Sequence, residues 1–353
     1  MNKRKIILVI LVFISLLNVF SIMFMSNINV YSDSSSEIVM ELNSNRILYE
    51  KNANEKKYMA STTKILTAIT IIENCKLDAV ITVGKETIGV EGSSIYLIEG
   101  EKLSIKDLLY GLMLRSGNDC AETLAIACSG SISEFSKLMN ETAKKIGANN
   151  SNFVNPHGLH NDNHYTTAHD LALISCYAMK NADFREIVAT KKIKIPNTMG
   201  NYDRILINKN KMLTEFDGSN GIKTGYTKKA GRCLVSSCVR NGLELICVVL
   251  DCPPMFEHSK KLLSITYDNY KSYNLVESDN ILGFIYDKSG KNHAIHIKKD
   301  VVLPLTDNEY KNVKIVYNYP KKIDSELSNN QFVGFVEIYC QNNLIFKQKI
   351  YTI

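Results

Sequence analysis

The spacing of hydrophobic positions changes several times along the chain, and each change marks an element. Lys3-Arg4-Lys5 precedes an apolar run from Ile6 to Met25 that only Ser15, Asn18 and Ser21 interrupt. Ile38 to Leu42, a turn at Asn43-Ser44-Asn45 and a second run from Ile47 to Tyr49 predict a β-hairpin. From Ser61 the pattern becomes helical, with Ile65, Leu66, Ala68, Ile69, Ile71 and Ile72 on nearly every side, so this helix is expected in the interior. Residues 104–128 predict helical stretches around a turn at Ser116, and 132–146 an amphipathic helix. A polar loop is expected over 149–164 and a further helix over 169–179.

Strand-like runs return after Gly218-Ser219-Asn220, over 222–226, 232–239 and 243–251. The last two are joined by Asn241-Gly242, a two-residue hairpin turn that would set Cys238 opposite Leu245 and Cys247 opposite Ser236. Cys252-Pro253-Pro254 ends this sheet and a helix over 256–270 follows. Strands at both ends of a region with helices between them imply an α+β domain whose antiparallel sheet pairs its terminal strands. From about Asn280 short alternating runs, with turns at Ser289-Gly290-Lys291 and Gln341-Asn342-Asn343, predict a small β domain closed by a hairpin over 335–339 and 344–351. The expected division is a leader over 1–32, an α+β domain over 33–272 and the small β domain over 273–353.

At 353 residues there is room for two cores. The basic flank and apolar stretch at the N-terminus read as an export signal with cleavage before Asp33, an uncleaved membrane anchor being the alternative. Formal charge is +6, three of it from Lys3, Arg4 and Lys5, and no basic tract offers a nucleic-acid footprint. The nine cysteines form no Cys-x-x-Cys pair. Cys238 and Cys247 would be diagonal neighbours at or beyond bridging reach, so the cysteines are expected mostly as small buried residues with no essential disulfide.

Candidate chemistry lies in three short strings: Ser61-Thr62-Thr63-Lys64, Ser116-Gly117-Asn118 and Lys223-Thr224-Gly225. Each is weak alone; Ser272-Tyr273-Asn274 and Ser328-Asn329-Asn330 also fit Ser-x-Asn. Together, in order and on a helix start, an interhelical turn and a strand, they describe acyl transfer through a serine. Ser61 at a helix N-terminus supplies a nucleophile with a free backbone N–H beside it. Lys64, one turn on, supplies a base once burial and a second cation, Lys223, have lowered its pKa. Ser116 can relay a proton to the leaving group, and the Asn118 amide can hold both Lys64 and the substrate backbone; the competing reading is a plain polar turn between helices, with Gly117-Asn118 supplying positive φ. Lys223 and Thr224 present a cation and a hydroxyl to the cleft, and Gly225 lets substrate lie along the strand edge.

Met59 to Thr67, Glu91-Gly92-Ser93-Ser94, Leu114 to Ala121, Asn155-Pro156-His157-Gly158-Leu159, His164 to Ala168 with Asp170-Leu171-Ala172, and Gly221 to Thr227 resemble the D-alanyl-D-alanine carboxypeptidases, the low-molecular-weight penicillin-binding proteins. The resemblance is collinear over roughly residues 37–270. It implies a β-lactamase/transpeptidase-like domain followed by a small β-sandwich that holds it off the membrane. It also implies stem peptide and β-lactams as ligands, no cofactor, and location outside the cytoplasmic membrane. By the same resemblance the N–H of Tyr226 joins that of Ser61 in an oxyanion hole and Thr224 helps hold the terminal carboxylate, with Arg232 or Lys260 assisting.

Two other functions compete. A class A β-lactamase needs a glutamate to activate the deacylating water. The interval between Glu141 and Glu186 has none, its carboxylates including Asp162 and Asp170. A non-enzymatic wall- or drug-binding protein is expected to carry a damaged motif, and all three are intact. His157, His160, His164 and His169 crowd one stretch but lack His-Glu-x-x-His spacing, so they are expected to hydrogen-bond within a loop and hold no metal.

Overall fold

The computed structural model describes residues 34–353; the expected export segment and cleavage site therefore lie outside the described residues. The first hairpin, β1 (Ser36–Glu41) and β2 (Ile47–Lys51), is followed by a 3-10 turn over Ala60–Thr63 and helix α1 (Lys64–Asn74). A small hairpin of β3 (Val80–Thr82) and β4 (Lys102–Ser104) leads into α2 (Ile105–Leu114), α3 (Asn118–Ser129) and α4 (Ile132–Ile146). After the polar loop come α5 (Ala168–Met179), α6 (Ala182–Ala189), a hairpin of β5 (Lys192–Ile195) and β6 (Arg204–Ile207), and a single turn α7 (Met212–Glu215). Strands β7 (Ser219–Thr227), β8 (Gly231–Arg240) and β9 (Leu243–Leu250) and helix α8 (Met255–Asn269) complete this part.

The principal sheet has the antiparallel order β2-β1-β9-β8-β7, so the first and last parts of the region pair as expected, Ser36 opposite Leu250 and Glu41 opposite Leu245. Every residue of β1 is buried, because α5 and α8 both pack on β1 and β9. The Asn241-Gly242 turn sets the predicted register, Cys238 opposite Leu245 and Ser236 opposite Cys247. Strand β7 is an edge. Helix α1 packs against α2, α3, α4 and α5, which accounts for an apolar surface on almost every side. Ser131 and Thr167 cap α4 and α5 by accepting from Glu134 and Asp170 N–H, and Gly147 ends α4 in the left-handed conformation. The hairpins β3–β4 and β5–β6, which sequence periodicity did not predict, are too short to show a period.

The remaining strands are β10 (Lys271–Val276), β11 (Gly283–Tyr286), β12 (Asn292–Ile297) and β13 (Val301–Leu305), then helix α9 (Asp307–Asn312) and β14 (Val313–Asn318), β15 (Phe332–Cys340) and β16 (Asn343–Thr352). They form a five-stranded antiparallel sheet, β11-β12-β16-β15-β14, and the pair β10–β13. Ile285, Ile295, Leu303, Val336, Ile338 and Ile350 make a core separate from the one that spans Ile38 to Leu250.

Candidate active site

The three strings meet where the helices adjoin the edge of the principal sheet: Lys64 bonds to Asn118, and strand β7 packs on the turn that carries Ser61. Ser61 lies on the 3-10 turn that precedes α1, entered through Ala60 at φ +48. A left-handed alanine costs about 1 kcal/mol, and it turns the chain so that Ser61 stays partly exposed while its neighbours are buried. Gly158 packs against this turn; a Cβ there would lie 1.9 Å from the Ala60 carbonyl oxygen.

Lys64 is fully buried, and its Nζ has three neutral neighbours. They are Asn118 Oδ1 at 2.7 Å, the His157 carbonyl oxygen at 2.7 Å and Ser61 Oγ at 3.1 Å. The first two can only accept. A neutral amine has two hydrogens for them and one lone pair left, which then faces the Ser61 hydroxyl. The protonation state follows the same logic. Burial, and next the charge of Lys223, hold the Lys64 ammonium well below the ordinary lysine range. Lys223 is itself 2 % exposed, and burial followed by the charge of Lys209 lowers its pKa to about 7.

Asn118 opens α3. Its Nδ2 donates to the Glu91 carbonyl at 2.6 Å and its backbone N–H to Ser93, which fixes the amide with Oδ1 toward Lys64. Ser116, not the Gly117-Asn118 pair, takes the left-handed conformation in the turn between α2 and α3, at φ +64, with Gly117 at φ −60. Asp119 is buried and accepts from the Ser94 hydroxyl and the N–H groups of Ile95 and Leu97, pinning the loop that carries Glu91 and Ser93.

Lys223, Thr224, Gly225 and Tyr226 lie in sequence on the edge strand β7, which packs directly on the Ser61 turn. A Cβ on Gly225 would sit 3.0 Å from the backbone N of Ser61 and 3.0 Å from Met59 O. The glycine therefore suits the close contact between strand and turn, a reason additional to substrate access along the edge. Lys223 Nζ donates to the Thr224 carbonyl. The Arg232 guanidinium lies over the Tyr226 ring, whereas Lys260 on α8 is held by Glu215 and Glu257.

The histidines have ordinary partners. His164 Nδ1 accepts from Val154 N–H and its Nε2 lies 2.8 Å from Thr63 Oγ1, with burial lowering its pKa to about 3. His157 Nδ1 accepts from Leu159 N–H, leaving Nε2–H to donate to Glu122. His160 meets Asp162, and His169 meets Asp170. Asp170 also accepts from Asn150 N–H and the Ser151 hydroxyl, and Asp162 from the Tyr58 hydroxyl.

Sequence reasoning missed Lys209, whose Nζ reaches Ser93 Oγ at 3.3 Å and whose charge bears on both buried lysines. A single lysine in a loop carries no local signal. It also missed Glu122, although its place four residues after Asn118 puts it on the same face of α3.

Comparison with known proteins points the same way. The D-alanyl-D-alanine carboxypeptidase family model matches residues 25–253, and the model for the C-terminal domain of penicillin-binding protein 5 matches residues 270–353. D-alanyl-D-alanine carboxypeptidase DacF of Bacillus subtilis is 30% identical over 275 residues, 75% of this chain and 70% of its own. DacC of Escherichia coli is 30% identical over 330 residues, 86% of this chain and 80% of its own. The crystal structure of penicillin binding protein 5 from Haemophilus influenzae superposes with a TM-score of 0.79 at 25% identity, covering 91% of this chain and 97% of that one. The chain belongs to the D-alanyl-D-alanine carboxypeptidase family, among the low-molecular-weight penicillin-binding proteins.

Proposed function

We propose that this carboxypeptidase removes the terminal D-alanine of peptidoglycan stem peptides through an acyl-enzyme on Ser61. The observation that carries the assignment is the buried Lys64 Nζ placed 3.1 Å from Ser61 Oγ, its other two partners being the uncharged acceptors Asn118 Oδ1 and the His157 carbonyl. As Oγ attacks the scissile carbonyl carbon, its proton passes to Lys64 Nζ and the C–O bond forms. The electron pair of the carbonyl moves to oxygen, where the N–H groups of Ser61 and Tyr226 receive it. Collapse of that intermediate breaks the C–N bond, and Ser116 delivers a proton from the lysine pair to the departing amine. Water then repeats the sequence in reverse order of groups and releases the shortened peptide. Asn118 holds Lys64 and the substrate backbone, while Lys223 and Thr224 receive the terminal carboxylate. Arg232 is a better candidate than Lys260 for assisting them, since Lys260 already has two carboxylate partners.

Penicillin acylates the same serine in this reading, and its hydrolysis is slow because the interval between Glu141 and Glu186 has no glutamate to activate a deacylating water. Residues 1–32 direct export and, where retained, attach the protein to the membrane. Residues 33–272 form the catalytic domain and 273–353 the small β domain. The test is mass spectrometry of protein labelled with penicillin, beside an assay of D-alanine release from a peptide ending in D-Ala-D-Ala. An adduct on the peptide containing Ser61, lost in Ser61→Ala, is expected together with released D-alanine. Rapid penicillin turnover without D-alanine release points instead to a β-lactamase.

A further inference from the structure

The segment that precedes β4 is tied to the Lys64 site at one end and gripped by two charged side chains further on. Asn118, whose Oδ1 accepts from Lys64, donates through Nδ2 to the Glu91 carbonyl and through its backbone N–H to the Ser93 carbonyl, both at 2.6 Å. Residues 94–98 then run between Asp119 and Arg204, which have opposite charges. On the α3 side the buried Asp119 carboxylate takes the N–H groups of Ile95 and Leu97, at 3.1 and 3.2 Å, and the Ser94 hydroxyl. Arg204, the first residue of β6, takes the carbonyls instead. Its Nε donates to Ile95 O at 3.0 Å and one terminal nitrogen to Tyr96 O at 2.8 Å. The fully buried Glu101 carboxylate accepts from both terminal nitrogens of Arg204 and from Ile98 N–H. The Pro196 carbonyl, at 3.5 Å, takes the last of the five guanidinium hydrogens.

We propose that, given the roles assigned above to Ser61, Lys64 and Asn118, Arg204 is a positioning residue for the same reaction. Through the backbone of residues 91–98 it fixes the Asn118 amide, and through that amide the Lys64 amine beside Ser61. An amide side chain can present either its oxygen or its nitrogen to a neighbour, and the partner of Nδ2 decides which. Here that partner is the Glu91 carbonyl, so Oδ1 is held toward Lys64 only as firmly as the loop is held. Asp119 restrains the N–H groups of the loop and leaves it free to pivot about α3. The grip of Arg204 on the Ile95 and Tyr96 carbonyls removes that freedom. Tyr96 sits at φ +60, a conformation that a non-glycine residue keeps only where its surroundings impose it, and the bond to its carbonyl is one such restraint. The planar fork matters as much as the charge. A lysine could pair with Glu101, but its compact ammonium could not span two carbonyls and both carboxylate oxygens at once.

The experiment compares the full-length protein with Arg204→Lys, Asn118→Ala and the double variant, by the rate of Ser61 acylation at saturating penicillin and by circular dichroism. Arg204→Lys keeps a charge opposite Glu101 and should stay folded, yet acylate about 10- to 100-fold more slowly than wild type. On the Asn118→Ala background the same change should cost less than about twofold, because the amide through which it acts is already gone. A role in stability alone would give the same loss on both backgrounds. The pair Arg204→Gln with Glu101→Gln leaves no charge buried at this point; it should behave as Arg204→Lys does, and it replaces that variant if the lysine form unfolds. Acylation of the folded variant at the wild-type rate, or an equal loss with and without Asn118, would overturn the proposal. Absence of a Ser61 adduct in the wild type would overturn instead the reading of the site on which it rests.

Discussion

Lys64 and Lys223 lie in the interior beside neutral acceptors, and that is expensive. The Lys223 pKa falls from 10.5 to about 7 on folding. Between those values the unfolded chain binds a proton that the folded chain sheds, so stability rises with pH across the window and is lost as pH falls. At neutrality the cost is on the order of 4 kcal/mol, from about 1.4 kcal/mol per pH unit. Lys223→Met should therefore be several kcal/mol more stable than wild type in urea at pH 7, with the gap closing toward pH 10.5, while losing carboxypeptidase activity. A variant less stable at pH 7 would contradict this account. The charge of Lys223 also lowers the pKa of Lys64. Lys223→Ala should then shift the acid limb of the penicillin acylation rate to higher pH, whereas Lys64→Ala should abolish acylation across the range. Coincident profiles for wild type and Lys223→Ala would remove the electrostatic role of Lys223.

Among elements, the decisive contact is between strand β7 and the turn over Ala60–Thr63. Gly225 allows it, and the space that a Cβ would need is already occupied by the backbone of Met59 and Ser61. Gly225→Ala should push the strand from the turn by a few tenths of an ångström and misalign the N–H groups of Ser61 and Tyr226 that are proposed as oxyanion donors. The expected result is a fall in kcat of roughly ten- to a thousand-fold with the protein still folded, read by D-alanine release beside circular dichroism. An unchanged kcat would mean that the turn follows the strand without cost. Most elements were legible because their hydrophobic periods are long: α1, α4, α8 and the β8–β9 hairpin all lie within a few residues of expectation. The turn at Ser116 was located correctly but its left-handed residue was not. Glycine and asparagine are the usual occupants of that conformation, and a serine held there by packing leaves no trace in composition.

On the scale of the molecule, Arg46 in the first hairpin reaches across to the β strands that follow residue 270. It donates to the Pro304 carbonyl, pairs with Glu309 and lies 5.8 Å from the centre of the Tyr270 ring. Neither Arg46 nor Glu309 belongs to the cleft. Arg46→Ala should accordingly speed limited proteolysis near residue 270 and leave the rate of penicillin acylation unchanged. Slower acylation would show that the small β domain supports the cleft directly. A chain beginning at Asp33 should likewise acylate at the full rate, since residues 34–353 contain every group assigned to the chemistry.

The sequence alone determined which residues are proposed for the chemistry and the order in which they occur. Ser61, Lys64, Ser116, Asn118 and Lys223 were all identifiable, because each belongs to a short string whose local geometry is set by its own helix, turn or strand. It also determined the pairing of β8 with β9, since a two-residue turn dictates register without help from the rest of the chain. Only tertiary structure decided how those parts act on one another. The three groups around Lys64 Nζ come from positions 61, 118 and 157, the charge of Lys209 enters from a loop, and Gly225 matters through a turn more than 160 residues earlier. The pKa of a buried lysine depends on how much water is excluded and which charges lie within a few ångströms, and chain spacing records neither.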